Sequence, residues 1–176
     1  MYKQADVDNG SEPVADTEGF EEFYIATVGR LLGQLFPVTG DLHEAEEIVQ
    51  EAMARASTRW ARLRDYEVPE AWVRRVAMNL AADRGRRLQR QARALLRAGP
   101  PPTVPPASTE ALALAEALRA LPVRQRQAIV LHHLVDLPVE EVAATLGART
   151  GTVKSWLARG RRALATMLSD PEEVLH

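Results

Sequence analysis

Cysteine is absent from this sequence of 176 residues, which excludes a disulfide framework and a thiolate metal site. Stability must therefore come from packing, as is usual for a protein kept in a reducing compartment. The 4 histidines are too scattered to form a metal site, and no phosphate-binding loop or nucleophile motif occurs. The sequence predicts no catalytic residue, no metal site and no cofactor, and it argues against an enzyme.

Long apolar runs are lacking as well. None approaches the roughly 20 residues that a membrane-spanning helix needs, and the acidic N-terminal stretch lacks the basic-then-apolar order of a secretion signal. We expect no membrane insertion and a cytoplasmic location. Because no strand pattern appears anywhere, the expected fold class is all-α.

The formal net charge is only −2, but acidic and basic residues are concentrated in different segments, each of which has little charge of the opposite sign. Acidic residues crowd the stretch before residue 23, whereas arginine is the only charged residue type from residue 84 to residue 97. Different parts of the chain are therefore expected to meet different partners.

The most informative segment, residues 137–168, predicts a helix, a glycine turn and a basic helix. Apolar residues at i, i+3, i+4 and i+7 form the buried stripe of the first helix: Val139, Val142, Ala143 and Leu146. Gly147 can take the left-handed conformation that ends this helix. The second helix has its own inward stripe: Val153, Trp156, Leu157, Leu164 and Leu168.

The outer face of that second helix is basic and hydroxylic. Ser155, Arg159 and Arg162 share one edge with Lys154 and Arg161 beside it, and no acidic residue occurs between 149 and 162. Such a helix can enter the major groove of DNA, where arginine and lysine neutralise phosphates or contact guanine. A solvated charged face is the alternative.

The first half of the chain predicts three more helices. One begins near Phe20 and is expected to end at Pro37 and Gly40. A capping box of Asp41 and Glu44 opens the next, which has an inward stripe: Leu42, Ala45, Val49, Ala52, Met53 and Ala56. After Trp60 and a loop over 63–68, Pro69 begins a third helix with its own apolar residues: Trp72, Val73, Val76 and Leu80.

The proline-rich segment 99–106 divides the chain, because proline removes backbone donors and restricts the preceding residue. Such a linker is semi-rigid and extended, so we expect it to hold two small helical bundles well apart. A helix capped by Ser108 and stopped by Pro122 follows it. The predicted organisation is a flexible acidic N-terminus (1–16), a first bundle (17–92), a linker (93–108), a second bundle (109–170) and a tail (171–176).

Four strings in register resemble known motifs. Residues 44–51 (EAEEIVQE) and 72–81 (WVRRVAMNLA) resemble region 2 of extracytoplasmic-function sigma factors, the sigma-70-family subunits of bacterial RNA polymerase. Residues 121–127 (LPVRQRQ) and 151–155 (GTVKS) resemble region 4. The resemblance implies a subunit that directs core polymerase to promoters, with region 2 melting the −10 element and region 4 binding the −35 element as duplex.

The resemblance also implies partners. Glu47, Gln50 and Glu51 share one helix face at i, i+3 and i+4, and by family match they contact the clamp of the β′ subunit; a solvated acidic face is the alternative. Region 4 would meet the flap of the β subunit. The free chain would be a monomer, and the sequence leaves open whether an anti-sigma factor binds it.

For the −10 element, the resemblance singles out the 63–68 loop and the helix after it. The loop would offer a pocket for an unstacked base, with Tyr66 as a stacking surface and Trp60 and Trp72 as core. Asn79 and Asp83 of the helix would lie near the exposed strand. Arg84, Arg86 and Arg87 belong to the arginine run, which would contact phosphates upstream of the melted segment. Asn79 could equally be a structural amide.

For the −35 element, the family's base-facing positions are occupied by Lys154, Ser155 and Arg159. The further candidates, including the phosphate contacts, are Arg124, Thr152 and Arg162. Two departures from the family pattern are Trp156 in place of arginine and Arg149 in place of a capping serine, so capping is expected to pass to Thr150. Gly160 is expected to loosen the helix by ~1 kcal/mol relative to alanine.

A stand-alone helix-turn-helix regulator is the rival interpretation. It would explain residues 137–168, but it gives no reason for the acidic face at 44–51 or for a separate N-terminal bundle.

Overall fold

A computed structural model of the chain describes residues 18–95 and 110–169. Within these ranges the chain forms helices, turns and bends and no strand, which confirms the all-α expectation. The α-helices are α1 Phe20–Thr39, α2 Leu42–Ser57, α3 Trp60–Leu63, α4 Pro69–Leu95, α5 Glu110–Ala120, α6 Val123–Ile129, α7 Val139–Leu146 and α8 Thr150–Leu168. The expected flexible N-terminus, linker, Ser108 cap and tail lie largely or wholly outside the described residues.

Helices α1 to α4 form an N-terminal bundle. Its core joins the inward faces of α1, α2 and α4 through fully buried side chains: Leu31, Leu35, Ile48, Met53, Val73 and Met78. Trp60 closes one end, packing its ring 4.9 Å from that of Phe23 and 5.4 Å from that of Phe20. Its indole nitrogen donates a hydrogen bond to the carbonyl of Glu18 at 2.7 Å, so the polar edge of the buried ring is satisfied.

The end of α1 differs from the expectation. The helix continues through Pro37 to Thr39 and ends at Gly40, whose φ of 73° is left-handed. Pro37 lies in the last turn, where the backbone N–H that proline lacks removes one hydrogen bond and few helical residues follow it. Proline alone is therefore a weaker stop signal than the glycine that follows it.

The start of α2 confirms the cap but only half of the capping box. The Asp41 carboxylate accepts a hydrogen bond from the Glu44 backbone amide at 2.8 Å. The Asp41 amide donates to the Thr39 hydroxyl at 3.3 Å, which leaves the Glu44 side chain for other partners. Leu42 was predicted to point inward, but as the first helical residue it lies beyond the edge of the core and is 54% exposed.

Helices α5 to α8 form a C-terminal bundle, with a π-helical turn, Val130–Leu134, between α6 and α7. The turn is held by hydrogen bonds from the Leu137 amide to the Leu131 carbonyl at 3.0 Å and between His132 Nδ1 and the Leu137 carbonyl at 2.8 Å. Asp136 completes the connection with a positive φ of 58°. This fixed geometry sets the direction in which α7 leaves the turn.

The two bundles are packed against each other, so the expectation that they are held well apart is wrong for this structure. Helix α4 contacts α6 and α7, and α1 contacts α5 and the π-helical turn. At the centre of this seam, the buried Gln127 side-chain amide donates to the Met78 carbonyl at 2.5 Å. The sequence showed an apolar stripe on each helix, but a stripe does not reveal which bundle covers it.

Leu35 and Leu42 provide a matched test of this core, since both were predicted to be inward and only Leu35 is fully buried. We expect Leu35→Ala to lower the free energy of unfolding by about 2–5 kcal/mol, because it leaves a cavity. Leu42→Ala should change it by less than about 0.5 kcal/mol. Chemical denaturation followed by circular dichroism measures both, and equal losses would contradict the observed packing.

Candidate nucleic-acid interface

The helix-turn-helix forms as predicted. Gly147 ends α7 with φ 62°, and its amide donates to the Ala143 carbonyl. Helix α8 follows from Thr150, but Arg149 is the capping residue and offers no side-chain hydrogen bond. The expectation that Thr150 caps the helix is wrong. Thr150 is itself the first helical residue, and a capping side chain comes from the residue before the helix.

The outer face of α8 carries five of the predicted DNA contacts, all exposed: Thr152, Lys154, Ser155, Arg159 and Arg162. Two of them also bond within the helix, since the Ser155 hydroxyl donates to the Gly151 carbonyl at 3.0 Å and Arg159 Nε donates to the Ser155 carbonyl at 3.3 Å. On the opposite face Val153 and Leu157 are buried, whereas Leu168 is 44% exposed, contrary to expectation, at the last turn.

Gly160 has a packing function that the sequence did not reveal. It is buried where α8 crosses α6, and a Cβ atom there would lie 3.0 Å from Ile129 Cγ1 and 3.3 Å from its Cδ1. The missing side chain therefore permits a close approach between the two helices. The loosening expected from glycine propensity is offset by this contact.

Arg124 lies apart from the α8 face. Its Nη1 atom donates to the Gln127 side-chain oxygen at 3.2 Å, at the seam with α4. Burial lowers the pKa of Arg124, the nearby Arg86 lowers it further, and the Asp83 carboxylate opposes both. The structure thus brings Arg124 close to the residues predicted for the −10 element rather than to those predicted for the −35 element.

The exposed edge of α4 carries Asn79, Asp83 and Arg87 at helical spacing. Arg86 pairs with Asp83 on the same edge. Arg84 instead extends toward α2, where its Nη1 lies 2.7 Å from Glu47 Oε2. Two of the three predicted arginines are therefore ion-paired in the free chain.

The exposed face of α2 presents Glu47, Gln50 and Glu51 together, as their spacing predicts. Glu51 Oε1 lies 2.6 Å from Arg55 Nη2, and Glu47 bonds to Arg84. Exposed ion pairs of this kind contribute only about 0–1 kcal/mol, so a basic partner could replace either arginine.

A pocket of about 240 Å³ lies between the 63–68 loop and α4; we call it the Tyr66–Trp72 pocket. Tyr66 is 52% exposed there, and Trp72 presents part of its ring while the Arg59 guanidinium lies 5.5 Å from the ring centroid. Trp72 was predicted to be core, but it is only partly buried. Trp72, Val76 and Leu80 are all partly buried and lie one turn apart, so they form the border of the apolar face of α4, which sequence periodicity cannot resolve.

Two arginines line the same pocket, and one of them is unusual. Arg75 is exposed, whereas Arg74 is only 8% exposed and its Nε has no hydrogen-bond partner. The opposite wall comes from α7, through Glu141, Ala144 and Thr145. Aromatic surfaces, guanidinium groups and a wall from the other bundle therefore meet at one place.

Among the described residues, no cluster of histidine and acidic side chains could hold a metal ion. A search of the same residues finds no helix long and apolar enough to span a membrane.

Comparison with known proteins finds a separate family match for each of the two bundles. The family model for "Sigma-70 region 2" matches residues 23–91, and that for "Sigma-70, region 4" matches residues 111–164. The "RNA polymerase sigma-E factor" of Streptomyces coelicolor is 32% identical over 142 residues, which is 80% of each chain. The "ECF RNA polymerase sigma factor SigM" of Mycobacterium tuberculosis is 34% identical over 126 residues, covering 71% of this chain and 64% of that one.

A solved structure shares the fold. The sigma factor RpoE of Bartonella quintana, crystallised with the anti-sigma factor NepR, aligns with a TM-score of 0.65 at 24% identity. The alignment covers 86% of this chain and 97% of RpoE.

Two glycines of α8 allow a matched test. We expect Gly160→Ala to destabilise the fold by about 1–3 kcal/mol, because the buried Ile129 cannot move away from the new methyl group. Gly151→Ala meets open space and should stabilise it by about 0.4–1 kcal/mol. Thermal unfolding measures both; stabilisation by Gly160→Ala would show that the approach of α8 to α6 is not constrained.

Proposed function

The chain belongs to the sigma-70 family of bacterial RNA polymerase sigma factors, in the extracytoplasmic-function group, and on that premise we propose roles for its two bundles. The N-terminal bundle binds the polymerase and melts the −10 element, and the C-terminal bundle binds the −35 duplex. The observation that carries this proposal is the presence, on one chain, of an acid-free exposed α8 face, an acidic α2 face and an aromatic pocket. A stand-alone regulator would need only the first.

In the proposed −35 complex, the N-terminal half of α8 enters the major groove. Lys154, Ser155 and Arg159 contact base edges there, because they are exposed and share the outer face of the helix. Thr152 and Arg162 lie at the ends of this face and contact phosphates. Arg124 joins them only if the C-terminal bundle leaves α4, since its guanidinium is at the seam.

In the proposed −10 complex, a base leaves the stack and enters the Tyr66–Trp72 pocket. Extruding a base costs a few kcal/mol, and stacking on an aromatic side chain returns about 1–3 kcal/mol. Asn79 and Asp83 then contact the separated strand along α4, while Arg86 and Arg87 bind its phosphates. Arg84 contributes once its bond to Glu47 is exchanged.

The proposed partners follow from these surfaces. Glu47, Gln50 and Glu51 bind a basic helix on the clamp of the β′ subunit, and the C-terminal bundle meets the flap of the β subunit. The chain makes no bond itself, because the polymerase carries the catalytic centre, and it acts in the bacterial cytoplasm as a monomer before assembly. An anti-sigma factor is a further proposed partner, since RpoE was crystallised with one.

Run-off transcription with reconstituted core polymerase across a promoter library tests the proposal. Specific transcripts should require both the chain and core polymerase. Tight sequence-specific binding to duplex by the free chain, without any transcript, would favour the stand-alone regulator.

For the polymerase-binding face, we expect Glu51→Lys to weaken the complex with core polymerase about tenfold, or roughly 1.4 kcal/mol. The reason is that a cation would replace the carboxylate offered to a basic partner. Glu22→Lys is the matched control, since Glu22 is an exposed glutamate on α1 and lies outside the α2 face. Competition binding to labelled core polymerase measures both, and equal weakening would mean that only net charge matters.

For the −35 contact, we expect Arg159→Ala to cost about 1–3 kcal/mol on the −35 sequence of a transcribed promoter and to relax specificity there. Arg161→Ala removes a cation that is in line with Lys154 but two turns further along α8, beyond the half that enters the groove, and it should weaken binding equally to matched and scrambled duplexes. Holoenzyme binding to both duplexes at one salt concentration provides the measurement. A loss from Arg159→Ala that is equal on both duplexes would remove Arg159 from the base-reading set.

A further inference from the structure

Trp156 is the tryptophan whose surroundings the fold explains least. Trp60 is 5% exposed and bonded to the Glu18 carbonyl, and Trp72 has the Arg59 guanidinium over its ring in the Tyr66–Trp72 pocket. Trp156 was predicted to point inward, but it is only partly buried, and no hydrogen bond joins its indole nitrogen to another described residue. Part of a large apolar ring is therefore left at the surface of α8.

The position of Trp156 on α8 places this ring at the edge of the proposed DNA-binding face. Trp156 follows Thr152 by four residues and precedes Arg159 by three, so it lies within about 60° of both around the helix axis. On its other side, Val153 and Leu157 are buried. One part of the ring packs against the core, and the rest borders the residues that are proposed to enter the groove.

The N-terminal half of α8 has no other large apolar group on its outer face. The exposed residues between 151 and 159 are charged, hydroxylic or small: Gly151, Thr152, Lys154, Ser155, Ala158 and Arg159. Arginine, lysine and serine hydrogen-bond to base edges or phosphates, whereas an indole ring offers one N–H donor and a broad apolar surface. The ring therefore adds a kind of contact that its charged and hydroxylic neighbours cannot make.

Thymine presents the apolar group that suits such a ring. Its C5-methyl is the one methyl group among the base edges of the major groove, and it helps to distinguish an A·T pair from the other pairs. This methyl lies toward the side of the groove, beside the backbone of its own strand. A helix that fills the groove brings its flank, and with it Trp156, close to that side.

Resting on the proposed −35 complex, we propose that Trp156 is a specificity-determining residue that packs against the C5-methyl group of one thymine in the −35 element. The contact removes the exposed part of the ring and the methyl group from water together. Lys154, Ser155 and Arg159 hydrogen-bond to their own bases, and Trp156 adds a preference that hydrogen bonding does not supply.

Replacement of single thymines by uracil isolates this contact, because it removes the methyl group and leaves every hydrogen-bonding group in place. The holoenzyme is titrated with labelled promoter duplexes in which each thymine of the −35 element, on either strand, is replaced in turn. One replacement should weaken binding by about three- to fivefold, the loss expected for one buried methyl group. Equal affinity across the whole series would overturn the inference without the need for any variant.

Trp156→Arg and Met167→Arg make a matched pair, since each replaces an apolar side chain of α8 with the same cation. Met167 is 47% exposed near the end of the helix, outside the half that is proposed to enter the groove. The thymine and uracil duplexes should bind Trp156→Arg equally, whereas Met167→Arg should keep the preference of the parent. Because the two affinities are compared within one variant, general changes in charge or in folded fraction cancel.

Persistence of the preference in Trp156→Arg would assign the methyl contact to another residue, such as the exposed Ala158, and would overturn the inference. Trp156→Gln is the second variant if thermal unfolding shows that Trp156→Arg does not fold, and it too should bind both duplexes equally. The promoter is one that the run-off assay has identified. A parent holoenzyme that transcribes no promoter would overturn the proposed function instead.

Discussion

Helix α4 has three different surroundings along its sides: the N-terminal core, the C-terminal bundle and solvent. The rest of the molecule is arranged around this helix. Val73 and Ala77 complete the N-terminal core, Met78 and Gly85 meet the C-terminal bundle, and Asn79 stays exposed. Helix α4 thus contacts both bundles along its length. The Tyr66–Trp72 pocket and the seam share a border because both are formed on this helix.

Ion pairs within the free chain involve several of the residues that are proposed to bind partners. Arg84 pairs with Glu47, and these two are proposed to bind DNA and polymerase respectively, whereas Arg86 pairs with Asp83, and both of these are proposed to bind DNA. Glu44 shows the effect of the seam, because burial raises its pKa although Arg84 and Arg126 favour the charged form. Binding of polymerase and DNA would replace these intramolecular ion pairs with intermolecular ones. The free energy of assembly is therefore the difference between the pairs formed and the pairs lost.

Local signals predicted much of this molecule. Gly147 ends α7 and Asp41 caps α2 as expected, since each depends on backbone geometry within a few residues. The predictions failed where a residue's surroundings come from elsewhere in the chain. Leu42 is exposed because the core does not extend to the first residue of α2, and Gly160 is required by Ile129 on α6.

The sequence by itself determined the helices, their apolar faces and the basic face of α8, because helical periodicity and charge can be read within a single segment. It also carried the motifs that identify the family. Only the tertiary structure decided that the two bundles meet along α4 and that Glu141 stands at the Tyr66–Trp72 pocket. The physical reason is that an apolar stripe specifies burial but not its partner, and the choice among partners is made by shape and by polar groups such as Gln127 that no local pattern reveals.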